Sequence, residues 1–219
     1  MPKSLDPLLV KAFKSINVDP GSLHPVSSGI YSDGTTSYFT KTSSSLPQLR
    51  AENASLVALS ATAPEGFVPR PFALLEEDGR GAMISEYFNL GGSKNQRELG
   101  LKLAQMHQIP TRDRWDELGY TGKFGFGMPT YCGVTEQDNT WSDSWKEFFV
   151  ERRLGDMVRR IGNSGIKAEW ERMKERRVTV RTTSTPRSKQ CNPAVAGRIR
   201  AKARAGRDPW RSLERERRR

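Results

Sequence analysis

Apolar residues recur at three- and four-residue spacing from the start of the chain: Leu5, Leu8, Leu9, Ala12, Phe13 and Ile16. The spacing predicts a short amphipathic helix, with Asp6-Pro7 near its start and Asp19-Pro20-Gly21 as its stop. A turn-rich stretch follows over 27–34, in which Asp33-Gly34 is a hairpin signal. Residues 36–42 have strand propensity. After Pro47, the apolar members Leu49, Ala54, Leu56, Val57 and Leu59 predict a helix through about Ala61. Pro69 and Pro71 end that region. Residues 72–75 and 82–88 read as two strands, and residues 77–80 turn between them as a hairpin. Leu99, Leu103 and Met106 predict a helix around 95–108. Trp141, Trp145, Phe148, Phe149, Met157, Val158 and Ile161 predict a longer one, with Thr140 and Asp143 as a capping box.

The order is therefore a small antiparallel sheet with one embedded helix, followed by a helical region. That is an α+β arrangement and the order expected of a two-lobed, protein-kinase-like fold. It divides the chain into a β-rich N-terminal lobe over 1–90, the start of a helical lobe over 91–174, and a tail over 175–219.

Charge sets the last boundary. The 219 residues carry a formal net charge of +11. Residues 1–170 have 19 Lys/Arg and 20 Asp/Glu, whereas residues 171–219 have 17 and 5. The basic character thus belongs to the final segment, where Trp210 is the lone aromatic. Such a segment buries too little apolar area to offset its ordering entropy, so a disordered tail is expected, with a frayed helix near 194–205. No apolar run approaches the ~20 residues that span a bilayer, and the first residues lack the apolar segment of a signal peptide. Cys132 and Cys191 lie far apart and form neither a disulfide framework nor a zinc motif. A reducing, cytoplasmic setting is the expectation.

Candidate chemistry lies mainly in the first lobe. Lys41 falls near the middle of the 38–42 strand pattern, and Glu52 follows 11 residues later in the embedded helix. A strand lysine paired with a helix glutamate holds nucleotide phosphates in kinase folds. The alternative is two solvated surface charges. The 27–34 stretch could cover phosphates with backbone N–H groups, although it lacks a Gly-x-Gly-x-x-Gly pattern. In a kinase fold Glu86, Tyr87 and Phe88 would be the interlobe connector, whose backbone meets the adenine edge; the alternative is a strand entering a loop. His107 reads as a packed helix residue and not as a base. Residues 122–127 read as an aromatic-glycine loop packed on the core and not as a P-loop, because neither Ser nor Thr follows Lys123. Cys132 reads as an ordinary thiol.

Several of these segments resemble one family, the fructosamine/ketosamine kinases, which include the protein-ribulosamine 3-kinases. The longest stretch is Phe124-Gly125-Phe126, Tyr131-Cys132-Gly133, Gln137-Asp138-Asn139, Trp141 to Trp145, Phe148-Phe149 and Glu151-Arg152-Arg153-Leu154. Leu99 to His107 resembles the family's Leu-Gly-x-x-Leu-Ala-x-Leu-His helix. Tyr38 to Thr42 resembles its lysine strand, Glu52 falls at its helix glutamate, and Ile84 to Phe88 resembles its connector. The resemblance covers roughly residues 5–170. It implies a fold close to the aminoglycoside and choline kinases. It also implies transfer of the ATP γ-phosphate, with Mg2+, to the 3-hydroxyl of ketosamine adducts on protein lysines or of small ketosamines. Lys41, Glu52, Glu86, Tyr87 and Phe88 would bind ATP.

The sequence departs from the family in two respects, one being a stretch before Lys41 that is shorter than the family's usual phosphate loop. Members carry a His-Gly-Asp-Leu-x-x-x-Asn catalytic loop and then a metal-holding Asp-Pro-Ala segment. Here neither His24 nor His107 precedes Gly-Asp, and Asp208 is followed by Pro209-Trp210. No catalytic residue and no metal ligand is therefore assigned. The expectation is a C-terminally truncated member, whose tail arises from a frame shift or retained intron after about Lys174. An exposed apolar patch over 141–161 goes with it. A non-catalytic nucleotide-binding or scaffolding role is the rival, and a further one is non-specific nucleic-acid binding through the arginine-rich tail.

Overall fold

The computed structural model describes residues 5–91 and 95–175, which form two compact units, one through Met106 and one from His107. The tail predicted beyond Glu175, including Cys191, Asp208 and the helix expected near 194–205, lies outside the described residues. The fold is α+β, as the order of elements implies.

In the first unit, helix α1 (Pro7–Ser15) starts where the Asp6 carboxylate accepts the Leu8 N–H at 2.9 Å and Pro7 occupies the first helical position. Its buried face is Leu8, Leu9, Ala12 and Phe13. The helix stops earlier than Asp19-Pro20-Gly21 suggests. Asn17 takes a positive φ of 61°, which ends the helix, and Pro20–Ser22 forms a separate 3-10 turn.

The sheet has five strands, all antiparallel to their neighbours. They are β1 (His24–Ser27), β2 (Ile30–Ser32), β3 (Ser37–Ser43), β4 (Pro71–Glu77) and β5 (Arg80–Glu86), in the order β1-β2-β3-β5-β4. The stretch read as turn-rich is thus itself a hairpin, turning at Ser28-Gly29. The β4–β5 hairpin turns on Asp78-Gly79, both at positive φ, as a two-residue turn requires. Helix α2 (Leu46–Thr62) connects β3 to β4.

Side chains alternate across the sheet. Tyr38, Ala82 and Ile84 face α1 and build the main core with Leu8, Leu9, Ala12 and Phe13. The Phe13 ring meets Tyr38 edge-on, centroids 5.4 Å apart. The opposite face receives α2. A Cβ on Gly81 would come within 2.5 Å of the Leu49 side chain, so a glycine there admits the helix to the sheet. Helix α3 (Gln96–Met106) closes the unit and leaves Leu99, Leu101 and Leu103 exposed.

The second unit opens with a 3-10 turn (Arg112–Arg114) running into the short α4 (Trp115–Leu118), which ends at Gly119 in the left-handed region. Strands β6 (Thr130–Cys132) and β7 (Thr135–Gln137) form a small hairpin. The single helix expected over 141–161 is instead α5 (Trp145–Phe149), a π turn (Val150–Gly155) and α6 (Asp156–Ile161). Its cap is Ser144, whose hydroxyl accepts the Glu147 N–H at 3.2 Å. Thr140 is engaged elsewhere, donating its N–H and hydroxyl to Asp138. Trp145, Phe149, Met157 and Ile161 are exposed. A further helix, α7 (Ser164–Glu175), follows.

Candidate functional site

Lys41 lies in the middle of β3, directly opposite Met83 of β5, on the sheet face that carries α2. Glu52 lies on α2, beside the buried Ala51 and Asn53. Nζ of Lys41 donates to Oε2 of Glu52 in a direct ion pair. Both side chains stay half-buried, at 40% and 35% exposure. A pair this open adds little to stability, because solvent screens it. It does fix the position of the ammonium. Glu52 accepts one of three N–H donors, and the others can meet an anion.

The Ser28-Gly29 turn sits beside this lysine. Register pairs Ile30 with Phe39, and the next residue back, Gly29, offers its carbonyl to the Thr40 N–H at 2.7 Å. The hydroxyl of Thr40 donates to the same oxygen at 3.1 Å. Thr40 is the residue before Lys41, so these bonds tie the turn to the strand that carries the lysine.

Glu86, Tyr87 and Phe88 lie at the far end of β5. Glu86 is paired with Tyr38, three residues from Lys41 along β3, or about 10 Å of strand. The Glu86 N–H donates to the Arg70 carbonyl at 2.8 Å, and the Tyr87 N–H to the Ser37 carbonyl at 3.2 Å. Tyr87 and Phe88 are half-buried beyond the strand end. Of the five candidate residues, the fold thus joins Lys41 directly to Glu52 and sets the other three at one end of the same strand pair.

Other candidates resolve differently. His107 lies just past α3 and is exposed, so it is not the packed residue its helix position suggests. Cys132 is an exposed free thiol. The aromatic-glycine loop is half-buried at Phe124, Gly125 and Phe126 and is held by backbone hydrogen bonds. Phe124 and Ser142 exchange backbone hydrogen bonds at 2.8 Å each, and Phe126 N–H donates to the Asn139 carbonyl at 2.9 Å. Lys123 pairs with Asp143 at 3.3 Å on the surface.

Sequence reasoning assigned no role to Asn139, which proves central to this unit. It is buried; its Nδ2 donates to the Met128 carbonyl and the Thr130 hydroxyl at 2.9 Å, and its Oδ1 accepts from Arg153. The Arg153 guanidinium also lies over the Phe148 ring, 4.5 Å from its centroid, and donates to the Asp138 carbonyl at 2.8 Å. Burial lowers the Arg153 pKa, opposed by the nearby carboxylates of Asp138 and Asp156. The two faint signals in the sequence were an Asn between a turn and a Trp, and an Arg doublet inside an apolar helix.

Among the described residues no group of three or more His, Cys, Asp or Glu side chains could hold a metal ion. None of the described helices is long and apolar enough to cross a membrane.

Comparison with known proteins gives these features a setting. Residues 9–196 match the family described as Fructosamine kinase. The chain is 38% identical over 145 residues to the protein-ribulosamine 3-kinase, chloroplastic, of Arabidopsis thaliana, covering 62% of this chain and 41% of that protein. It is 34% identical over 114 residues to the protein of the same name from Oryza sativa subsp. japonica, covering 49% and 31%. It is 27% identical over 135 residues to the ketosamine-3-kinase of Mus musculus, covering 53% and 44%. The chain thus spans less than half the length of each of these relatives.

Proposed function

The chain belongs to the fructosamine kinase family, and on that premise we propose that its first unit is the ATP-binding half of a ketosamine 3-kinase site. The observation that carries this reading is the Lys41–Glu52 ion pair between β3 and α2. In a kinase this pair fixes an ammonium against the α- and β-phosphates, where it neutralises charge without having to be reoriented. Glu86, Tyr87 and Phe88 would then supply backbone groups to the base. The backbone around Ser28-Gly29 would lie over the phosphates. The names of the family and of the relatives point to a fructosamine, a protein ribulosamine or a ketosamine as the phosphoryl acceptor.

Transfer demands more than this half supplies. A sugar hydroxyl that attacks the γ-phosphate must release its proton to a base, and the bond to the β-phosphate must break as the new one forms. The 219 residues contain no His-Gly-Asp segment to provide that base. A transferring kinase also holds magnesium against the phosphates with one or two carboxylates, and none is assigned that role here. A second reading for the chain itself is nucleotide binding without transfer. The proposed setting is the cytoplasm, where the exposed Cys132 stays reduced.

Calorimetric titration of the full chain with ATP, with and without magnesium, tests the first reading. ATP binding that weakens at least tenfold in Lys41→Ala supports it; equal binding by the two proteins overturns it. ADP release in the presence of a glycated peptide decides between transfer and binding alone.

A further inference from the structure

Arg70 stands between Pro69 and Pro71, and a residue before proline is held extended. Pro71 opens β4, where the ladder to β5 is irregular: Pro71 pairs with Ser85 but Ala73 pairs with Ile84, so Phe72 is an extra residue. One step beyond this bulge the two chains are joined in an unusual way. The Glu86 N–H donates to the Arg70 carbonyl at 2.8 Å. In return the Arg70 N–H donates to the Glu86 carboxylate, with Oε2 3.3 Å away, and Arg70 Nε meets the same oxygen at 3.4 Å. A side-chain oxygen thus takes the place of a strand carbonyl on the last rung.

This arrangement limits what Glu86 can do. Directly opposite Tyr38, it shares the sheet face of α1, whereas Lys41 lies on the face of α2. Its carboxylate is engaged by Arg70 and its N–H by the Arg70 carbonyl. We infer that Arg70 and Glu86 form a strut that fixes the backbone entering Tyr87 and Phe88, which makes Arg70 a positioning residue for the base of a bound nucleotide. The inference rests on the proposed ATP site. It assigns the Glu86 side chain to holding the connector and not to touching the ligand.

The strut and the lysine predict separable effects on different parts of the nucleotide. Binding of adenosine, ATP and inorganic tripolyphosphate to the full chain is measured by NMR titration for wild type, Arg70→Ala, Glu86→Ala and the double variant. The expected result is a roughly fivefold weaker Kd for adenosine and ATP in each single variant. Tripolyphosphate, which reports on Lys41, is expected to bind unchanged. In the double variant the two losses are expected to fall short of additive, because the contact between Arg70 Nε and the Glu86 carboxylate is lost in both single variants. Arg70→Ala leaves the backbone bonds in place and keeps the test open if Glu86→Ala does not fold. Wild-type adenosine affinity in both variants, or an equal loss for tripolyphosphate, overturns the strut while leaving the ATP site standing. A wild-type chain that binds none of the three ligands overturns the site, and the strut with it.

Discussion

Thr40 donates twice to one oxygen: its N–H lies 2.7 Å and its hydroxyl 3.1 Å from the Gly29 carbonyl. Thr40 is buried, and the next residue along β3 is Lys41. One residue therefore ties the Ser28-Gly29 turn to the strand that carries the ammonium. Gly29 is suited to this contact for two reasons. Its φ of 73° is left-handed, and a Cβ would stand 3.0 Å from the Thr40 carbonyl oxygen.

Two substitutions probe this tie. Gly29→Ala should destabilise the chain by about 1–2 kcal/mol, from the positive φ alone. Thr40→Val keeps the shape and the backbone bond but loses the hydroxyl bond, and should cost about 1 kcal/mol. Both should weaken binding of tripolyphosphate more than of adenosine if the turn lies over phosphates. Urea midpoints and ligand titrations check the two effects independently, and equal losses for both ligands would argue against a phosphate-covering turn.

How far such features can be read from sequence depends on what encodes them. Helix α1 is legible because Asp6-Pro7 and the Leu8, Leu9, Ala12, Phe13 face are local signals. Strand β5 is legible because Ala82, Met83 and Ile84 are covered on both faces of the sheet and so form a continuous apolar run. Strand β1 is not, since all four of its residues are exposed and one is proline; it is a strand only because β2 pairs with it. The π turn at Val150–Gly155 leaves the apolar spacing nearly intact and escapes a periodicity search. Helix α7 left a trace in Ile166, Trp170 and Met173, but its many charged positions dilute the apolar pattern. The spacing of Lys41 and Glu52 suggested a pair, whereas the partners Gly29–Thr40 and Arg70–Glu86 come together only through the sheet.

Gly125 is tightly hemmed in by its neighbours in the second unit. Its φ is 153°, and a Cβ would fall 2.6 Å from the Asn139 carbonyl oxygen and 2.9 Å from the Trp141 ring. Either the loop or the Asn139–Trp141 backbone would have to move. Gly125→Ala is expected to cost more than about 2 kcal/mol, read as a lower denaturant midpoint. Gly133→Ala is the control: it also has a positive φ, of 60°, but nothing lies within 4 Å of its would-be Cβ. A smaller loss at Gly133 separates crowding from backbone strain; equal losses would show that strain alone acts at both.

Asn139 and Arg153 should behave as one unit. Asn139→Ala removes two donated bonds and the oxygen that faces the guanidinium, leaving a half-buried charge less well satisfied. A loss of roughly 2–4 kcal/mol is expected. Arg153→Met keeps much of the stem packing against Phe148 and removes the charge, so it should cost less. In the double variant the two losses should fall short of additive, which a double-mutant cycle in urea measures. Full additivity would mean that the two side chains stabilise the unit separately.

Asp138 ties this cluster to pH. The Thr140 hydroxyl, at 2.6 Å, and the Thr140 N–H, at 2.8 Å, hold its carboxyl below the ordinary carboxylate range, and Arg152 at 3.1 Å adds to them. A folded-state value lower than the unfolded one means that the unfolded chain takes up the proton first. The resulting stabilisation is complete above the unfolded carboxylate's value, about pH 4, and is lost as pH falls through the folded value. Asp33 and Asp6 act in the same direction in the first unit. Backbone N–H groups of Thr36 and Thr35 hold Asp33 down, and Arg80 and the Leu8 N–H hold Asp6 down. Asp138→Asn should therefore lower stability at pH 7 while flattening its decline between about pH 4 and pH 2. Urea midpoints taken across that range test this. Parallel curves for the two proteins would show that Asp138 titrates in the folded chain as it does in the unfolded one.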